Sequence, residues 1–345
     1  MKGTGKANFK DSHAPRAGLR GDIIVAIPTL NEEKHIAHCV RSLTDDTAFA
    51  ARIGFVVADG GSTDETRAIV DKLAQTRDDI VLLDNPERLQ SAGINSVVAQ
   101  LTGPAHRFLV RCDAHAHYPA GFVRRVVEVL EKQPEAASVA GVLDARGEGC
   151  FQRAAAWIVD TPLGSGGSAH RGGAWSGWVD HGHHAGFRLD WFRRIGGYDP
   201  DFSHNEDAEY DARLARAGGR IWLESSLRKN YVMRPTPGRL WLQYWRYGKG
   251  RARTLRKHAL RPRLRQVLPV LVLAGLVLSL ATGLVFRPAL ALPALYVGAL
   301  SVVSAVAAAR MRSLCGLWAG VALFVMHNAW GAGFLGGIMV RGARP

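Results

Sequence analysis

Asp113 and His115 stand two residues apart at the end of the apolar run 107–112. In an extended chain residues i and i+2 point to the same side, so this carboxylate and imidazole face one space. Together they suit a divalent ion, with coordination positions left for phosphate oxygens. Asp59 closes a second apolar run, 53–58, and opens the turn Gly60-Gly61-Ser62-Thr63-Asp64. A carboxylate there can accept hydrogen bonds from a nucleotide base. Pro28-Thr29-Leu30-Asn31-Glu32 ends a third run, 23–27. Each segment also reads as plain turn chemistry. Pro28 and Asn31 turn a strand into a helix with Thr29 or Asn31 as its cap, and Thr63 or Asp64 starts another. What links the three is their place: each follows an apolar strand, in succession.

Those runs belong to a longer alternation. A helical pattern through Ile36, Val40 and Leu43 follows the first, and one through Thr66, Ile69, Val70 and Leu73 follows the second. Run 80–83, a helix near 89–99, run 107–112, a helix over 120–131 and a strand over 138–143 continue it. Apolar strands alternating with amphipathic helices predict an α/β domain, a mostly parallel sheet with helices on both faces. Ligands of such sheets bind beyond the carboxyl ends of the strands, where the three polar segments fall. Cys39, Cys112, Cys150 and Cys315 are far apart with no short paired spacing. We therefore expect reduced thiols and neither a disulfide frame nor a zinc site.

The remainder of the 345 residues is organised for a membrane. Runs 267–286, 289–309 and 314–340 are each close to the ~20 apolar residues that cross a ~30 Å hydrocarbon core as a helix. His327, Asn328 and several glycines interrupt the third, so two or three transmembrane helices are expected. The polar pair should face other helices or headgroups. The net charge is +14, and the positive residues crowd around these runs. Arg239, Arg246, Lys249, Arg251, Arg253, Arg256, Lys257, Arg261, Arg263 and Arg265 precede the first, and Arg310 and Arg312 separate the second from the third. Arg287 alone separates the first from the second. This asymmetry puts the basic loops and the large amino-terminal domain on the cytoplasmic side. A basic patch also suits nucleic acid, but this one abuts an apolar run without a zinc or helix-turn-helix pattern, so no nucleic-acid partner is expected. Residues 1–21 are basic, poor in apolar residues and without a signal-peptide core, and are expected to be a disordered lead-in.

Ile-Pro-Thr-Leu-Asn-Glu-Glu (27–33), Val-Ala-Asp-Gly-Gly-Ser-Thr-Asp (57–64) and Arg-Cys-Asp-Ala-His (111–115) resemble the family 2 glycosyltransferases with the GT-A fold. His204-Asn205-Glu206-Asp207 is similar to their Glu-Asp catalytic motif. Gln243-Tyr244-Trp245-Arg246-Tyr247 is similar to the Gln-x-x-Arg-Trp motif of membrane-linked polysaccharide-building members. Residues 180–187 and Gly196-Gly197-Tyr198 narrow the resemblance to the ExoA-type glucosyltransferases, which assemble succinoglycan-like exopolysaccharide repeat units on a lipid carrier. It extends from Asp22 through the membrane segment.

The resemblance implies a GT-A domain over 22–237, an interfacial aromatic and basic helix region over 238–265 and a membrane segment over 266–345. It implies a UDP-sugar donor carrying glucose or a similar hexose, a lipid-linked saccharide acceptor and Mg²⁺ or Mn²⁺ as cofactor. The location would be the inner (cytoplasmic) membrane, with other polysaccharide-assembly enzymes as partners. Pro28, Thr29, Asn31, Glu32, Asp59, Arg111 and Asp113 would hold the nucleotide sugar, and Asp113 and His115 the metal. Asp207, beside Glu206, would take the acceptor proton. His183, His184, Gln243 and Arg246 would line the acceptor and diphosphate side. Without the resemblance, Glu206, Asp207, Glu209 and Asp211 read as a solvated acidic first turn. Likewise the aromatic stretch 241–247 reads as an interfacial helix. Two departures stand out: Asp59-Gly60 replaces a double acid, and Asp113-Ala114-His115 replaces Asp-x-Asp, which exchanges an anionic ligand for a neutral one. Two other readings share the fold: an enzyme that charges a polyprenyl phosphate with one sugar, and a membrane-anchored binding protein with a degenerate site.

Overall fold

The computed structural model describes residues 19–44 and 47–339, so the expected lead-in lies outside the described residues as far as residue 18. The chain forms two compact units. The first comprises Met1–Val142 and Ala174–Lys229, the second Leu143–Gly173 and Asn230–Pro345.

The first unit is built on the sheet. Its strands are β1 (Ile23–Thr29), β2 (Ile53–Asp59), β3 (Ile80–Asp84), β4 (Phe108–Arg111), β5 (Ala136–Arg146), β6 (Gly177–Val179), β7 (His183–Arg188) and β8 (Arg220–Val232), in the order β3-β2-β1-β4-β7-β5-β8-β6. β1 to β4 pair in parallel, as the apolar runs predict. Beyond β4 the sheet turns antiparallel: β7 runs against both β4 and β5, and β6 against β8. The sheet is therefore mixed, a GT-A-like arrangement. On one face Ile23, Val25 and Ile27 pack with Ile36, Val40, Val70 and Val126. Ile24 and Ala26 alternate to the other face and are equally buried, which is why β1 reads as a continuous apolar run. At roughly 1.5–3 kcal/mol for each buried aliphatic side chain, this core fixes the strand ends that carry the polar loops.

In the second unit Phe151, Ile158, Met233, Leu240, Leu323 and Met326 form a core. Three segments are long and apolar enough to cross a bilayer: Leu264–Gly283, Arg287–Met311 and Leu314–Met339. The glycines of the third are contact points. A Cβ on Gly333 would sit 2.0 Å from Trp245 O, and one on Gly248 2.1 Å from Trp330 O, so helices Pro237–Lys257 and Ala319–Met339 touch backbone to backbone. Asn328 is buried and donates to Phe324 O at 2.8 Å and Tyr296 OH at 3.4 Å, while His327 bonds Leu163 O at 3.0 Å. The expectation of four reduced thiols is corrected. Cys150 and Cys315, 165 residues apart in the chain, form a disulfide with Cα atoms 4.6 Å apart, because the turn Leu314–Trp318 packs on helix Cys150–Val159. Cys39 and Cys112 are free and buried.

Candidate active site

The loops after β1 and β2 are zipped together. Asn31 takes a left-handed conformation (φ 55°), its N–H donates to Ser62 Oγ at 2.8 Å, and its Oδ1 accepts Thr63 N–H at 2.8 Å. Glu32 N–H donates to Thr66 Oγ1 at 2.8 Å and Glu33 N–H to Asp64 Oδ2 at 3.2 Å. Asp64 also accepts Thr66 N–H at 3.1 Å, at the start of helix Thr66–Thr76. Neither Thr29 nor Asn31 caps the helix that begins at Ile36: Thr29 donates back to Ile27 O at 2.9 Å, and no side chain caps that helix. Pro28 and Thr29 end β1 in register with Ala58 and Asp59.

Asp59 is 1% exposed, and its oxygens are engaged within the loop. They accept Gly61 N–H at 3.1 Å, Ser62 N–H at 3.1 Å, Ser62 Oγ–H at 2.5 Å and the Arg67 guanidinium at 2.7 Å. Burial opposes its ionisation, but the Ser62 and Arg67 bonds outweigh it and hold the carboxyl below its ordinary value. The expectation that Asp59 receives a base meets a carboxylate already surrounded by its own loop.

Charge gathers instead around the ends of β4, β7 and β8. Arg111, 5% exposed, ends β4 and donates to Tyr198 OH at 2.9 Å, Asp207 Oδ1 at 2.7 Å and Glu206 Oε1 at 3.2 Å. Tyr198 OH also donates to Asp207 Oδ1 at 2.9 Å. Asp207 therefore has one oxygen held twice, and its Oδ2 keeps acceptor capacity. Burial works against its charge, yet Arg111 and the neighbouring histidines keep the carboxyl well below the carboxylate range. Glu206 shifts the other way: burial and the Asp207 charge raise it. Two acids sharing one guanidinium cannot both be favoured, and the better-bonded one stays ionised.

Asp113 is also doubly held. Its Oδ2 accepts Lys229 Nζ at 2.6 Å and its Oδ1 accepts Gln90 Nε2 at 2.9 Å. Burial opposes the charge, but Lys229, His183 and Arg111 drive the carboxyl far below its ordinary value. His183 Nε2 lies 3.4 Å from Lys229 Nζ. Burial, then Lys229 and Arg111, push this imidazole down to about 3, so it is neutral and can accept from the ammonium.

The two residues expected to hold a metal have other partners here. Asp113 and His115 share a strand end but bond to different partners. His115 Nδ1 pairs with Glu32 Oε1 at 3.0 Å, a bond that raises the imidazole above its ordinary value, and its side chain is 67% exposed. Among the described residues no three His, Cys, Asp or Glu side chains gather as a metal would need. With an ammonium on the one carboxylate, the donor set does not fit a divalent ion.

Strand alternation also separates the two histidines expected on the acceptor side. His183 faces Lys229, whereas His184 is 1% exposed, with Nε2 2.7 Å from Asp211 Oδ1. His181 Nδ1 lies 2.6 Å from the other oxygen of Asp211. His184 thus braces helix Glu206–Arg216, and the reading of a solvated acidic face fails with it. Asp211 and Glu209 are both buried, and Glu209 grips Arg213 at 2.7 Å across one helical turn. Gln243 and Arg246 belong to the second unit. Gln243 is buried and donates to Tyr231 OH at 2.5 Å and Tyr247 OH at 3.0 Å, while Arg246 is exposed.

Residues 24–196, half of the chain, match the profile of glycosyl transferase family 2, and 315 residues are 41% identical to the succinoglycan biosynthesis protein ExoA of Rhizobium meliloti (strain 1021). The chain belongs to glycosyl transferase family 2. That relative is matched over 90% of this chain and 93% of its own length. A second relative is 25% identical over 244 residues, 68% of this chain and 74% of the other. It is the dolichyl N-acetyl-alpha-D-glucosaminyl phosphate 3-beta-D-2,3-diacetamido-2,3-dideoxy-beta-D-glucuronosyltransferase of Methanococcus voltae. In fold the chain is similar to a mannosyltransferase of Pyrobaculum calidifontis solved with GDP-Man and Mn²⁺, with TM-score 0.56 and 20% identity over 92% of this chain and 88% of that one. The charged cluster has two members that motif reading does not single out. Tyr198 enters the motifs only through Gly-Gly-Tyr, and Lys229 carries no local signal at all, since a lysine in a polar stretch of β8 looks like any solvated lysine.

Proposed function

We propose that this family 2 glycosyltransferase moves a hexose, glucose in our reading, from a UDP-sugar to a lipid-linked saccharide in exopolysaccharide or cell-surface glycan assembly. The first unit would work at the cytoplasmic side of the inner membrane, where nucleotide sugars are made, anchored through the apolar helices of the second. Extensive identity to a succinoglycan biosynthesis protein supports the pathway class, and the positive residues flanking the apolar helices support the orientation.

The observation that carries the reading is Asp207. Arg111 and Tyr198 hold its Oδ1, so the carboxylate is ionised and fixed, with Oδ2 left for an acceptor hydroxyl. In the proposed step that hydroxyl donates to Oδ2 while its oxygen attacks the anomeric carbon. A bond from acceptor oxygen to sugar forms, the bond to the diphosphate oxygen breaks, and the proton passes to Asp207, with inversion at the carbon. Glu206, sharing Arg111, tunes the pair. Arg111 is a positioning residue in this scheme, and Gln243 and Arg246 are assigned to the acceptor and diphosphate side as a proposal. No step runs through Mg²⁺ or Mn²⁺, because Asp113 and His115 are committed to other partners.

The test is Asp207→Asn, assayed as nucleotide release from a panel of UDP- and GDP-sugars with a lipid-extract acceptor. Turnover is expected to fall by about 10²–10⁴, the range of general-base catalysis, with donor affinity nearly unchanged. An unchanged turnover would show that the base lies elsewhere and would favour transfer to a polyprenyl phosphate, which needs no such base.

A further inference from the structure

Lys229 occupies the place where a divalent ion was expected. Its ammonium has three N–H donors and no acceptor. One goes to Asp113 Oδ2 at 2.6 Å, a second points toward the neutral His183 Nε2 at 3.4 Å, and the third keeps its capacity. The other cation of the cluster, Arg111, gives its Nη1 and Nη2 to Tyr198, Asp207 and Glu206, and its Nε–H, though without a partner, is fully buried away from an entering ligand. Against these two cations stand the carboxylates of Asp113 and Asp207, with Glu206 beside them as the acid whose charge is disfavoured. A nucleoside diphosphate adds further negative charge, and its departure concentrates that charge on the leaving phosphate. A site of this composition needs a cation with a donor still to give. Lys229 is that group.

The backbone is built to put it there. Gly141 of β5 pairs in register with His183 of β7, and a Cβ on Gly141 would lie 2.5 Å from Leu227 O of β8. Only glycine admits so close an approach. It brings the segment of β8 that carries Lys229, two residues after Leu227 and on the same side of the strand, against the one that carries His183.

We propose that Lys229 holds the diphosphate of the donor, its ammonium supplying the positive charge that a bound divalent ion would otherwise supply. Asp113 and His183 position the ammonium. The proposal rests on the reading that the site takes a nucleoside diphosphate sugar, and the experiment separates the two.

The full chain in lipid nanodiscs is titrated with UDP, GDP and UMP by calorimetry, in excess EDTA and again with Mn²⁺. The wild type is expected to bind a diphosphate in EDTA and to prefer UDP over UMP. Lys229→Gln should weaken the diphosphate by about 10- to 100-fold, the contribution of one charge-assisted hydrogen bond, and erase the preference over UMP. Lys229→Arg should keep most of it. Because Lys229→Gln strands a buried Asp113, the double variant Asp113→Asn/Lys229→Gln is measured beside it. With no unpaired charge left, it should show the same loss at wild-type thermal stability. Diphosphate binding that is unchanged in Lys229→Gln overturns the proposal. So does wild-type binding that appears only once Mn²⁺ is added, and in both cases the donor reading survives. If neither diphosphate binds the wild type with or without Mn²⁺, the donor reading itself falls and the role of Lys229 with it.

Discussion

Two parts of the first unit put carboxylates at strand ends, and they use them differently. In the loops after β1 and β2, Asp59 and Asp64 are bonded mainly to nearby backbone and hydroxyl donors, with the partly exposed Arg67 only eight residues on as the cation at Asp59, and Asn31 ties one loop to the other. Around β4, β7 and β8, Asp113 and Asp207 are bonded to Lys229, Arg111 and Tyr198, which come from strands and loops far apart in sequence. The first arrangement is satisfied by short-range geometry, so it shapes a surface. The second balances charge against charge in a partly desolvated place and leaves Asp207 Oδ2 and one Lys229 donor available. A carboxylate at a strand end is therefore not by itself a site; what matters is whether its partners are local donors or distant, equally buried charges.

The largest test of that contrast is Arg111→Met. It leaves Glu206 and Asp207 without their shared cation, and a loss of about 3–5 kcal/mol is expected in urea unfolding of the solubilised protein. If the loss is no larger than for Asp59→Asn, the cluster is not held by charge and the contrast breaks. Asp59→Asn itself should cost about 1.5–3 kcal/mol, the value of hydrogen bonds to a charged group, with nucleotide affinity unchanged. A fall in nucleotide affinity at intact stability would show instead that Asp59 reaches the base.

A smaller effect sharpens the electrostatics of the cluster. His183 titrates at about 3 in the folded protein, whereas the unfolded chain takes the proton near the ordinary histidine value. Its contribution to stability is thus complete above that ordinary value and is lost as pH falls from there toward about 3. Lys229→Gln removes one cause of the depression, so histidine NMR should show His183 titrating at higher pH. An unmoved titration would mean that burial and Arg111 set it without Lys229. The smallest effect is expected at the exposed pair Glu32–His115. Glu32→Gln should change stability by about 0–1 kcal/mol and let the His115 imidazole fall back toward its ordinary value. A large change in activity there would restore a role for His115 that its present partner denies.

The parallel half of the sheet was legible because β1, β2 and β4 are buried on both faces and so read as unbroken apolar runs. β7 was not, since His183-His184-Ala185-Gly186 offers no hydrophobic pattern and its place between β4 and β5 is set by pairing across long loops. Motif resemblance singled out Arg111, Asp113, Glu206 and Asp207, which the structure brings into one charged cluster. It placed His184 and Asp59 with equal weight beside them, because a motif records residue type and order and carries no information about burial. In the second unit the glycines near His327 looked like flaws in a membrane helix and are in fact the positions where two helix backbones meet.

What the sequence determined by itself is whatever depends on neighbours a few residues away: apolar runs, their periods, the flanking charges, and the ordered motifs that mark the family. Only the tertiary structure decided which charge meets which. Asp113 had His115 two residues away and is paired with Lys229, 116 residues on. Cys150 is joined to Cys315 with no spacing to announce it. The physical reason is the same in both cases. Electrostatic and covalent partners are chosen by distance in space, and in a mixed sheet the strand that brings the partner arrives through crossovers that local sequence does not encode.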